Sequence, residues 1–289
     1  MGSMRIDLHT HSTVSDGTDS PAELVAVAAA AGLDVVALTD HDTTAGWEEA
    51  TAALPAGLTL VPGAELSCVS EHDPGRGISV HLLGYLFDPA ATAIVTEQRR
   101  LRVERRERLY AMARGMAADG LPIDADELLS LLPPDSPAGR PHLAQALIRA
   151  GLVTTVDQAF AEYLGSGRGY YVPRHDTPVE DAIEMIAAAG GVTVFAHPLA
   201  RSRGRVVSIE TIVKLAEHGL TGIEVDHPNH EKADRELLRD LARQLGLVQT
   251  GSSDYHGTNK MIPIGAETTD PEQLEALLDK ASGAQIAVG

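Results

Sequence analysis

Apolar and polar positions follow two rhythms over the first 85 residues of the chain. Short apolar runs, typical of strands, occur in MRIDLHTH, DVVALTDHD, LTLVPGAELS and GISVHLLGY. The segments SPAELVAVAAAAG and GWEEATAAL have the pattern of helices. In the first of them, Ser20 is placed as a helix cap, Pro21 opens the helix and Gly32 ends it. Strands that alternate with helices predict βα units and a mostly parallel sheet.

From about Ala93 the pattern changes to helices alone. The segment TEQRRLRVERRERLYAMARGMAADG predicts one long helix, and shorter helical patterns follow at Asp124–Leu132, Pro141–Gly151 and Val156–Leu164. A strand pattern returns only at GYYVP. Because this stretch is much longer than an ordinary connecting loop, we expect it to be a helical insertion over residues 94–171.

The strand and helix rhythm then resumes to the end of the chain. Helix and strand patterns alternate as EDAIEMIAAAGG and VTVFAHP, IETIVKLAEHG and TGIEVDHP, and ADRELLRDLARQLG and LVQTGSSDYHG. The chain therefore predicts an α/β fold with one barrel-like domain in two parts, residues 4–93 and 172–289, which the helical insertion interrupts. No internal repeat or low-complexity segment is visible.

Composition narrows the classes of function. A net charge of -18 argues against wrapping of long nucleic acid by bulk electrostatics, but it leaves room for a small phosphorylated substrate. No apolar run is long enough to span a bilayer, and no secretory leader is visible. Cys68, the single cysteine, excludes an internal disulfide framework. It is expected to be a small buried apolar residue in a cytoplasmic protein.

Two histidines flank a threonine at the end of the first predicted strand. Side chains alternate faces along a strand, so His9 and His11 point the same way and Thr10 points to the opposite side. Two imidazoles on one face can bind one metal ion. An isolated pair of this kind is also compatible with an ordinary polar sheet face, so the rest of the chain has to decide.

Further ligand-type residues sit at or near the downstream ends of the predicted strands. In a parallel α/β barrel these ends meet on one face, where such folds place their sites. Another histidine, His81, lies within its strand. The strand-end residues are His9, His11, Asp16, Asp40, His41, Glu65, His197, Asp254 and His256.

The number and type of these residues predict a multinuclear metal site. They exceed the four to six ligands of one first-row ion, so two or three divalent ions are expected. Mixed imidazole and carboxylate ligands favour Mn²⁺, with Fe²⁺ or Zn²⁺ as alternatives, over Ca²⁺ or Mg²⁺. Such a site suits hydrolytic phosphoryl transfer by a metal-bridging hydroxide, since the ions activate water and stabilise the leaving oxygen.

The motifs DLHTHS, SDG, TDHD, GAELS, VHLLGY, AHP and GSSDYHG, in this order, resemble those of the PHP (polymerase and histidinol phosphatase) family. The resemblance covers Arg5 to about Gly257. The insertion, with GRPHLAQAL, resembles the branch that contains 3′,5′-nucleotide bisphosphate phosphatases and 5′-to-3′ exoribonucleases. The resemblance implies a distorted (β/α)₇ TIM-like barrel with three metal ions.

The resemblance also implies a ligand set for each ion. One ion would take His9, His11, Glu65 and Asp254. A second would share Glu65 and add His81 and His197, and a third would take Asp16, His41 and His256. The doubled serine in GSSDYH departs from a commoner GSDxH but keeps the Asp-x-His pair. Asp7 and Asp40 are interpreted either as carboxylates that orient ligating imidazoles or as caps of strand ends.

The sequence also contains candidates for substrate binding and for proton transfer, and most of them have an alternative structural role. Arg140 and His142 lie at the start of a predicted helix, where they form either a phosphate site or an ordinary helix cap. Arg201, Arg203 and Arg205 in ARSRGR lie next to the predicted metal face, and Arg201 is expected to meet substrate phosphate, unless these are solvated loop residues. His227 and His230 follow a predicted strand, and His230 is the candidate proton donor to the leaving oxygen. Glu65 is the candidate catalytic metal bridge. The arginines of residues 99–114 form either a solvated face or a track for an RNA end.

The leading hypothesis is a metal-dependent phosphoesterase that hydrolyses phosphate monoesters of nucleotides, with 3′,5′-nucleotide bisphosphates as candidate substrates. The main alternative is a 5′-to-3′ exoribonuclease on short RNA. Histidinol phosphatase is a weaker choice because the insertion resembles the nucleotide branch. An amidohydrolase or a non-catalytic metal-binding module also remains open. The expected partner is a small phosphorylated nucleotide or an RNA end, with no membrane and no obligate protein partner.

Overall fold

The computed structural model describes residues 4–75, 77–133 and 136–289, and its centre is a single mixed sheet. The seven main strands coincide with the short apolar runs, because these runs bury their side chains on the sheet, whereas two strands of two residues, Thr177–Pro178 and Ala287–Val288, lie outside these runs. The strands are β1 (Ile6–Asp7), β2 (Val35–Leu38), β3 (Thr59–Ser70), β4 (Ile78–Tyr85), β5 (Thr177–Pro178), β6 (Val192–Phe195), β7 (Gly222–Asp226), β8 (Val248–Gly251) and β9 (Ala287–Val288).

The sheet curves into a nearly closed barrel. Its seven main strands follow the order β1-β2-β3-β4-β6-β7-β8, and the short strands β5 and β9 pair with β3. A parallel bridge between Thr10 and Tyr255 joins the chain after β1 to the chain after β8. The α/β barrel that the sequence predicts is therefore confirmed, and its seven main strands match the number that the family resemblance implies.

One strand departs from the parallel arrangement. β4 runs antiparallel to both β3 and β6, whereas the pairs β1–β2, β2–β3, β6–β7 and β7–β8 are parallel. The connection over 71–77 is too short for the helical crossover that a parallel neighbour requires, so β3 and β4 form a hairpin. In this hairpin His81 lies opposite Ser67.

Helices surround the barrel and continue into the insertion. The first begins as the sequence predicts, because Ser20 and Glu23 form a reciprocal capping box and Pro21 follows the cap. The helices are α1 (Pro21–Ala30), α2 (Trp47–Ala52), α3 (Thr92–Ala118), α4 (Ala125–Ser130), α5 (Arg140–Arg149), α6 (Val156–Ala159), α7 (Val179–Ala188), α8 (Ile209–Glu217), α9 (Lys232–Leu245) and α10 (Pro271–Leu278).

The helices between β4 and β5 build a hydrophobic core of their own. Leu109 and Met112 of α3 pack there with Leu143 and Leu147 of α5, and all four are buried. This stretch is helical, as the sequence predicts, while the exact limits of the insertion at 94 and 171 stay a prediction. No helix in the described part of the chain is long and apolar enough to cross a membrane.

The prediction of a strand at GYYVP is wrong. Residues 169–173 adopt no strand, and the next strand along the chain is β5. The aromatic and β-branched residues of this segment have the composition of a strand, but the backbone finds another partner. The Nε atom of Arg108 in α3 donates a hydrogen bond to the carbonyl oxygen of Val172 at 2.6 Å.

The barrel core supports the strand ends that carry the ligand-type residues. Ile6, Leu8 and Leu83 are fully buried in one cluster with Tyr85. The hydroxyl of Tyr85 donates a hydrogen bond to the carbonyl oxygen of Leu8 at 2.6 Å. This bond ties β4 to the end of β1, directly before His9. Cys68 is fully buried in β3, in agreement with its expected role.

Candidate metal centre

The end of β1 directs two imidazoles to the same point. Thr10 between them is held by its hydroxyl, which donates to the carbonyl oxygen of Ala37 at 2.6 Å. The Nε2 atoms of His9 and His11 lie 3.0 Å apart, and both rings are buried. The alternation of a strand therefore places the pair as expected. Its depth excludes the alternative of an ordinary solvated sheet face.

Glu65 in β3 occupies the middle of the site. Its Oε1 atom lies 2.7 Å from Nδ1 of His81 and 3.1 Å from Nε2 of His197. Burial alone would raise the pKa of the Glu65 carboxyl, but the surrounding imidazoles hold the pKa well below its usual range. Its other oxygen, Oε2, lies 3.1–3.3 Å from ring nitrogens of His9, His11 and His41.

A second carboxylate, that of Asp16, faces the other edge of the histidine cluster. Its Oδ1 lies 3.4 Å from Nε2 of His256, and its Oδ2 lies 3.7 Å from Nε2 of His41. The loop that carries Asp16 curls tightly over His11, and a Cβ atom on Gly17 would collide with the carbonyl oxygen of His11. The glycine of the SDG motif therefore permits the turn that brings Asp16 to the site.

The third carboxylate is Asp254, which follows β8 in a left-handed backbone conformation with φ 53°. Its Oδ1 lies 3.4 Å from Nε2 of His11. Its Oδ2 accepts hydrogen bonds from Arg203 and, at 2.7 Å, from Lys260. Although burial raises the pKa of Asp254, these two cations and nearby imidazoles hold the pKa well below its usual range. Of these two cations, the sequence analysis named Arg203, as one of three candidates for contact with substrate phosphate, and it missed Lys260.

His197 also has positive φ, 29°. Backbone conformations of this kind are costly for residues other than glycine and concentrate at functional sites. The strain at His197 and at Asp254 is compensated by buried hydrogen bonds. The backbone N–H of His197, for example, donates to Oε2 of Glu224 at 2.7 Å.

Among the described residues, the ligand-type atoms converge in three groups. Within each group they lie within 4.8 Å of one another, which is the arrangement that a shared cation requires. Two groups contain the sets that the family resemblance implies. In the third, His41 joins Glu65 and His81, and His197 is not a member although its Nε2 lies 3.1 Å from Oε1 of Glu65. The groups are His9, His11, Glu65 and Asp254; His11, Asp16, His41 and His256; and His41, Glu65 and His81.

The donor set fits divalent cations. Nδ1 of His41 is buried and makes no hydrogen bond, although it lies 3.1 Å from Oε2 of Glu65. The Nε2 atoms of His9 and His11 face each other at 3.0 Å, so at least one of them directs a lone pair toward the other unless both carry protons. Lone pairs and carboxylates that converge in a buried site are stabilised by a cation between them. Metal ligation by the individual residues stays a prediction.

Two buried aspartates next to the centre hold the loops around it. Asp7 accepts from the hydroxyl of Ser253 at 2.5 Å, and Asp40 accepts from the hydroxyls of Ser12 and Ser15 at 2.6 Å each. The two aspartates therefore cap loops, the second of the two interpretations considered. Neither of these contacts involves an imidazole.

Glu224 orients a ring instead. Its Oε1 lies 3.2 Å from Nδ1 of His9, on the side of the ring away from Nε2. It is fully buried in β7, where the pattern TGIEVDHP places it between the apolar Ile223 and Val225. A charge between two apolar residues of a buried strand is the signal that could have identified it, since buried charges occur only where they have partners.

The arginines that follow His197 divide between the surface and the centre. Arg201 donates to Oδ1 of Asp234 at 3.0 Å, and its side chain is 57% exposed. Arg203 turns inward to Asp254. Arg203 is therefore better placed than the predicted Arg201 to reach a phosphate at the centre.

The two histidines after β7 also differ. His230 has both ring nitrogens engaged, Nδ1 at 2.9 Å from the carbonyl oxygen of Val225 and Nε2 accepting from the backbone N–H of Leu199 at 3.3 Å. These bonds leave no nitrogen of His230 available to a substrate. His227 has an Nε2 atom without a hydrogen-bond partner, 3.5 Å from Oδ2 of Asp254. Of the two histidines, His227 has the better geometry for proton transfer.

The start of α5 lies against the same face. Nδ1 of His142 accepts a hydrogen bond from the backbone N–H of Gly139 at 3.0 Å, and the ring is close enough to Asp16 for the two to interact electrostatically. Burial lowers the pKa of His142, so the ring is neutral. Arg140 points into the insertion, where Nη1 donates to the carbonyl oxygen of Leu164 at 3.0 Å. Substrate binding by Arg140 and His142 stays a prediction.

Comparisons with known proteins agree with this geometry. The PHP domain matches residues 7–130. A 5′-3′ exoribonuclease of Haemophilus influenzae is 37% identical, over 90% of this chain and 93% of its own length. A 3′,5′-nucleoside bisphosphate phosphatase of Chromobacterium violaceum is 34% identical, over 87% of each chain. The structure of a protein designated a metal-dependent phosphoesterase from Bifidobacterium adolescentis superimposes with a TM-score of 0.89 at 35% identity, covering 97% of this chain and 98% of its own.

Proposed function

Since the chain belongs to the PHP family of metal-dependent phosphoesterases, we propose that it is a nucleotide-directed phosphatase that hydrolyses a phosphate monoester of 3′,5′-nucleotide bisphosphates. The enzyme class, phosphoric ester hydrolase, is shared by the named relatives. The observation that carries the proposal is the position of Glu65, whose two oxygens face five imidazoles on opposite sides. A carboxylate in this position can be shared between two cations.

The proposed ligands form three sets, one for each metal ion. His9, His11 and Asp254 would hold one ion with Glu65. His81 and His197 would hold another on the opposite oxygen of Glu65, and a third would lie among Asp16, His41 and His256. Divalent ions bound here would supply an activated water and neutralise charge on the phosphate oxygens.

The surrounding residues of the chain keep these ligands in position. Glu224 fixes the ring of His9 through Nδ1, which leaves Nε2 directed into the site. Lys260 and Arg203 keep Asp254 ionised and offset part of the negative charge that three carboxylates concentrate there. Arg203 is also available to a phosphate oxygen, and His227 to the leaving oxygen.

We propose Mn²⁺ as the metal, with Fe²⁺ or Zn²⁺ as alternatives. The support is the ligand set, which combines imidazole nitrogens with carboxylate oxygens. Ca²⁺ and Mg²⁺ prefer sets made of oxygen ligands alone. We also propose a cytoplasmic location. It is supported by the single buried cysteine, which needs no oxidising compartment.

The second candidate function is 5′-to-3′ exoribonuclease activity. It is favoured by the 37% identity to the exoribonuclease of Haemophilus influenzae over nearly the full length of both chains. The same centre serves both reactions, because each places a phosphorus atom between an activated water and a leaving oxygen. The two functions differ only in whether the leaving oxygen belongs to a monoester or to a diester of RNA.

One assay separates the two functions. Mn²⁺-loaded protein is incubated with a nucleoside 3′,5′-bisphosphate and with a short 5′-phosphorylated RNA, and phosphate and mononucleotide release are measured. We expect the higher kcat/KM on the bisphosphate, and no release by Glu65→Gln on either substrate. A higher kcat/KM on the RNA would assign the protein to the exoribonucleases. Hydrolysis of neither would overturn the proposal.

A further inference from the structure

The turn that follows His256 joins two loops of the candidate metal centre. Asn259 ends a short 3₁₀ helix (Gly257–Asn259), and its Nδ2 donates to the carbonyl oxygen of Asp16 at 2.8 Å. Its backbone N–H donates to the carbonyl oxygen of His256 at 3.4 Å. Asp16 and His256 belong to one ligand group, although they come from opposite ends of the barrel sequence. Asn259 therefore connects the two loops that carry these ligands.

Two further contacts tighten this connection. The backbone N–H of Thr258 donates to the hydroxyl of Thr18 at 2.9 Å. Gly257 has φ 63°, and a Cβ atom at this position would collide with the same hydroxyl. The turn is fitted closely to the loop of residues 16–18, so a displacement of the turn also displaces Asp16.

The insertion reaches the same turn from the other side. Nε2 of Gln145 in α5 donates to Oδ1 of Asn259 at 2.6 Å, so the insertion holds the oxygen of this amide and Asp16 holds its nitrogen. His142, three residues before Gln145 and on the same face of α5, hydrogen-bonds to the backbone of Ser15. Two side chains of α5 therefore hold the loop that carries Asp16.

These contacts lie in a region that is not closely packed. Gln145, Asn259 and Asp16 line a cavity of about 340 Å³ between the insertion and the barrel. Leu143 and Leu147, which pack in the core of the insertion, lie on the opposite face of α5. The hydrogen bond between Gln145 and Asn259 can therefore be removed without disturbing a hydrophobic core, and variants at these positions should fold.

The magnitudes favour a role in metal binding over a role in stability. Gln145 and Asn259 are half-buried, and a neutral hydrogen bond of this kind contributes little to the stability of a fold. The orientation of a metal ligand has a larger effect, because replacing a residue that orients ligands typically lowers metal affinity by roughly tenfold to a hundredfold.

We propose that Asn259 is a positioning residue for the ligand group of His11, Asp16, His41 and His256, and that Gln145 couples the insertion to this group through Asn259. The inference rests on the metal ligands of the proposed function. It goes beyond that function because it makes the occupancy of one ion depend on the docking of the insertion. Since such coupling is reciprocal, an ion bound there also holds α5 against the barrel.

The first test is Mn²⁺ binding by the full-length variant Asn259→Leu without substrate. Leucine has a similar size and removes both amide hydrogen bonds. Calorimetric titration should show that the affinity for one ion falls by roughly tenfold to a hundredfold. Anomalous scattering at one subsaturating Mn²⁺ concentration should assign the loss to the ion near Asp16, with the ion near His9 and Glu65 as internal reference. Unchanged affinity, or an equal loss at both positions, would overturn the positioning role.

The coupling to the insertion is tested by Gln145→Met. Its Mn²⁺ affinity should fall by roughly twofold to tenfold, the range for the loss of one neutral hydrogen bond. The matched control is Gln158→Met. Gln158 is also a half-buried glutamine of the insertion, but its carboxamide bonds to Thr154 and Glu162, away from the barrel. No effect of Gln145→Met, or the same effect in the control, would mean that the insertion is not coupled to the metal centre.

Hydrogen exchange measures the coupling in the opposite direction. Addition of Mn²⁺ should slow the exchange of backbone amides in α5 of the wild type, and this protection should be lost in Asn259→Leu. Exchange in α5 that does not respond to Mn²⁺ in the wild type would contradict the coupling.

Hydrolysis separates positioning from a merely structural role. In Asn259→Leu, the Mn²⁺ concentration for half-maximal hydrolysis of p-nitrophenyl phosphate should rise by the same factor, and saturating Mn²⁺ should restore the wild-type kcat. A kcat that stays low at saturating Mn²⁺ would show a structural role instead. Mn²⁺ binding without hydrolysis of any phosphoester by the wild type would refute the proposed function alone. Hydrolysis with equal Mn²⁺ affinities in wild type and Asn259→Leu would refute the positioning role alone.

Discussion

Oε2 of Glu65 and Nδ1 of His41 lie 3.1 Å apart in a buried setting, and yet the two atoms make no hydrogen bond. A buried carboxylate and an imidazole nitrogen this close are suited to sharing a cation, since an unpartnered buried polar atom is otherwise costly. Glu65 and His41 each belong to two of the ligand groups, and together they connect all three, so the predicted ions are neighbours.

We therefore expect at least two metal ions in the purified protein, separated by about 4 Å as in two-metal hydrolases. Elemental analysis gives their number, and anomalous scattering gives their positions among the ligand-type residues. Chelation should abolish phosphoester hydrolysis, and Mn²⁺ should restore it. Protein that was never exposed to a chelator and contains no metal would refute this expectation.

Glu65→Gln should reduce kcat more than His142→Ala does. The amide cannot supply the negative charge that Glu65 places between its five imidazoles, whereas His142 touches only the edge of the site. Steady-state kinetics on p-nitrophenyl phosphate compare the two variants under saturating Mn²⁺. Equal or reversed effects on kcat would mean that Glu65 is not shared between ions.

Arg140→Ala should raise KM for a nucleoside bisphosphate and leave hydrolysis of p-nitrophenyl phosphate little changed. The side chain points into the insertion and away from the ligand groups, so it can meet only a part of the substrate that is not hydrolysed. The loss of a hydrogen bond to a charged group corresponds to a change of roughly tenfold to a hundredfold. Equal weakening of both substrates would place Arg140 at the scissile group.

Arg105→Met should destabilise the fold, because it leaves Asp42 as an unpaired charge with no solvent exposure. Breaking one partner of a buried ion pair costs about 3–5 kcal/mol. Equilibrium urea unfolding of the metal-free protein measures the loss. The double variant Arg105→Met with Asp42→Asn should recover part of it, since no charge remains buried. Equal stability of wild type and Arg105→Met would show that the pair is not needed for folding.

The ion pair between Arg105 and Asp42 also predicts that the free energy of unfolding depends on pH. Burial raises the pKa of Asp42, but Arg105 and other cations outweigh it and lower the pKa to about 2, from an ordinary value of 3.8. A carboxyl group whose pKa is lower in the folded state than in the unfolded state stabilises the native state at pH values above its unfolded pKa. This stabilisation is lost as the pH falls from there toward the folded pKa. The wild type should therefore lose about 2 kcal/mol between roughly pH 4 and pH 2 that the double variant does not lose. Parallel urea unfolding series at these pH values check this difference.

The sequence alone was sufficient for the main strands and helices and for the direction of the first candidate ligands. Ser20 and Pro21 start α1 because capping depends on neighbours within one turn. His9 and His11 share a face because alternation is a local property of an extended chain. Strand ends of a parallel barrel meet on one face, so the order of the motifs already implied that Glu65 and Asp254 would lie near these histidines.

The tertiary structure alone decided which charges face one another. Glu224 reaches His9 across 215 residues of chain, and no local pattern specifies that distance. Arg201 and Arg203 stand two residues apart in one loop, and only the position of Asp254 determines which of them turns inward.

The tertiary structure also decided the backbone pairing and the balance of charge in the insertion. The short connection before β4 imposes a hairpin, and a side chain of α3 takes the backbone of residues 169–173 away from a strand. The arginines of α3 follow one another in the sequence with glutamates between them, and no local pattern distinguishes one arginine from the next. Burial against Asp42 neutralises Arg105 and leaves Arg108 uncompensated, because a buried charge is set by the partners that folding brings to it.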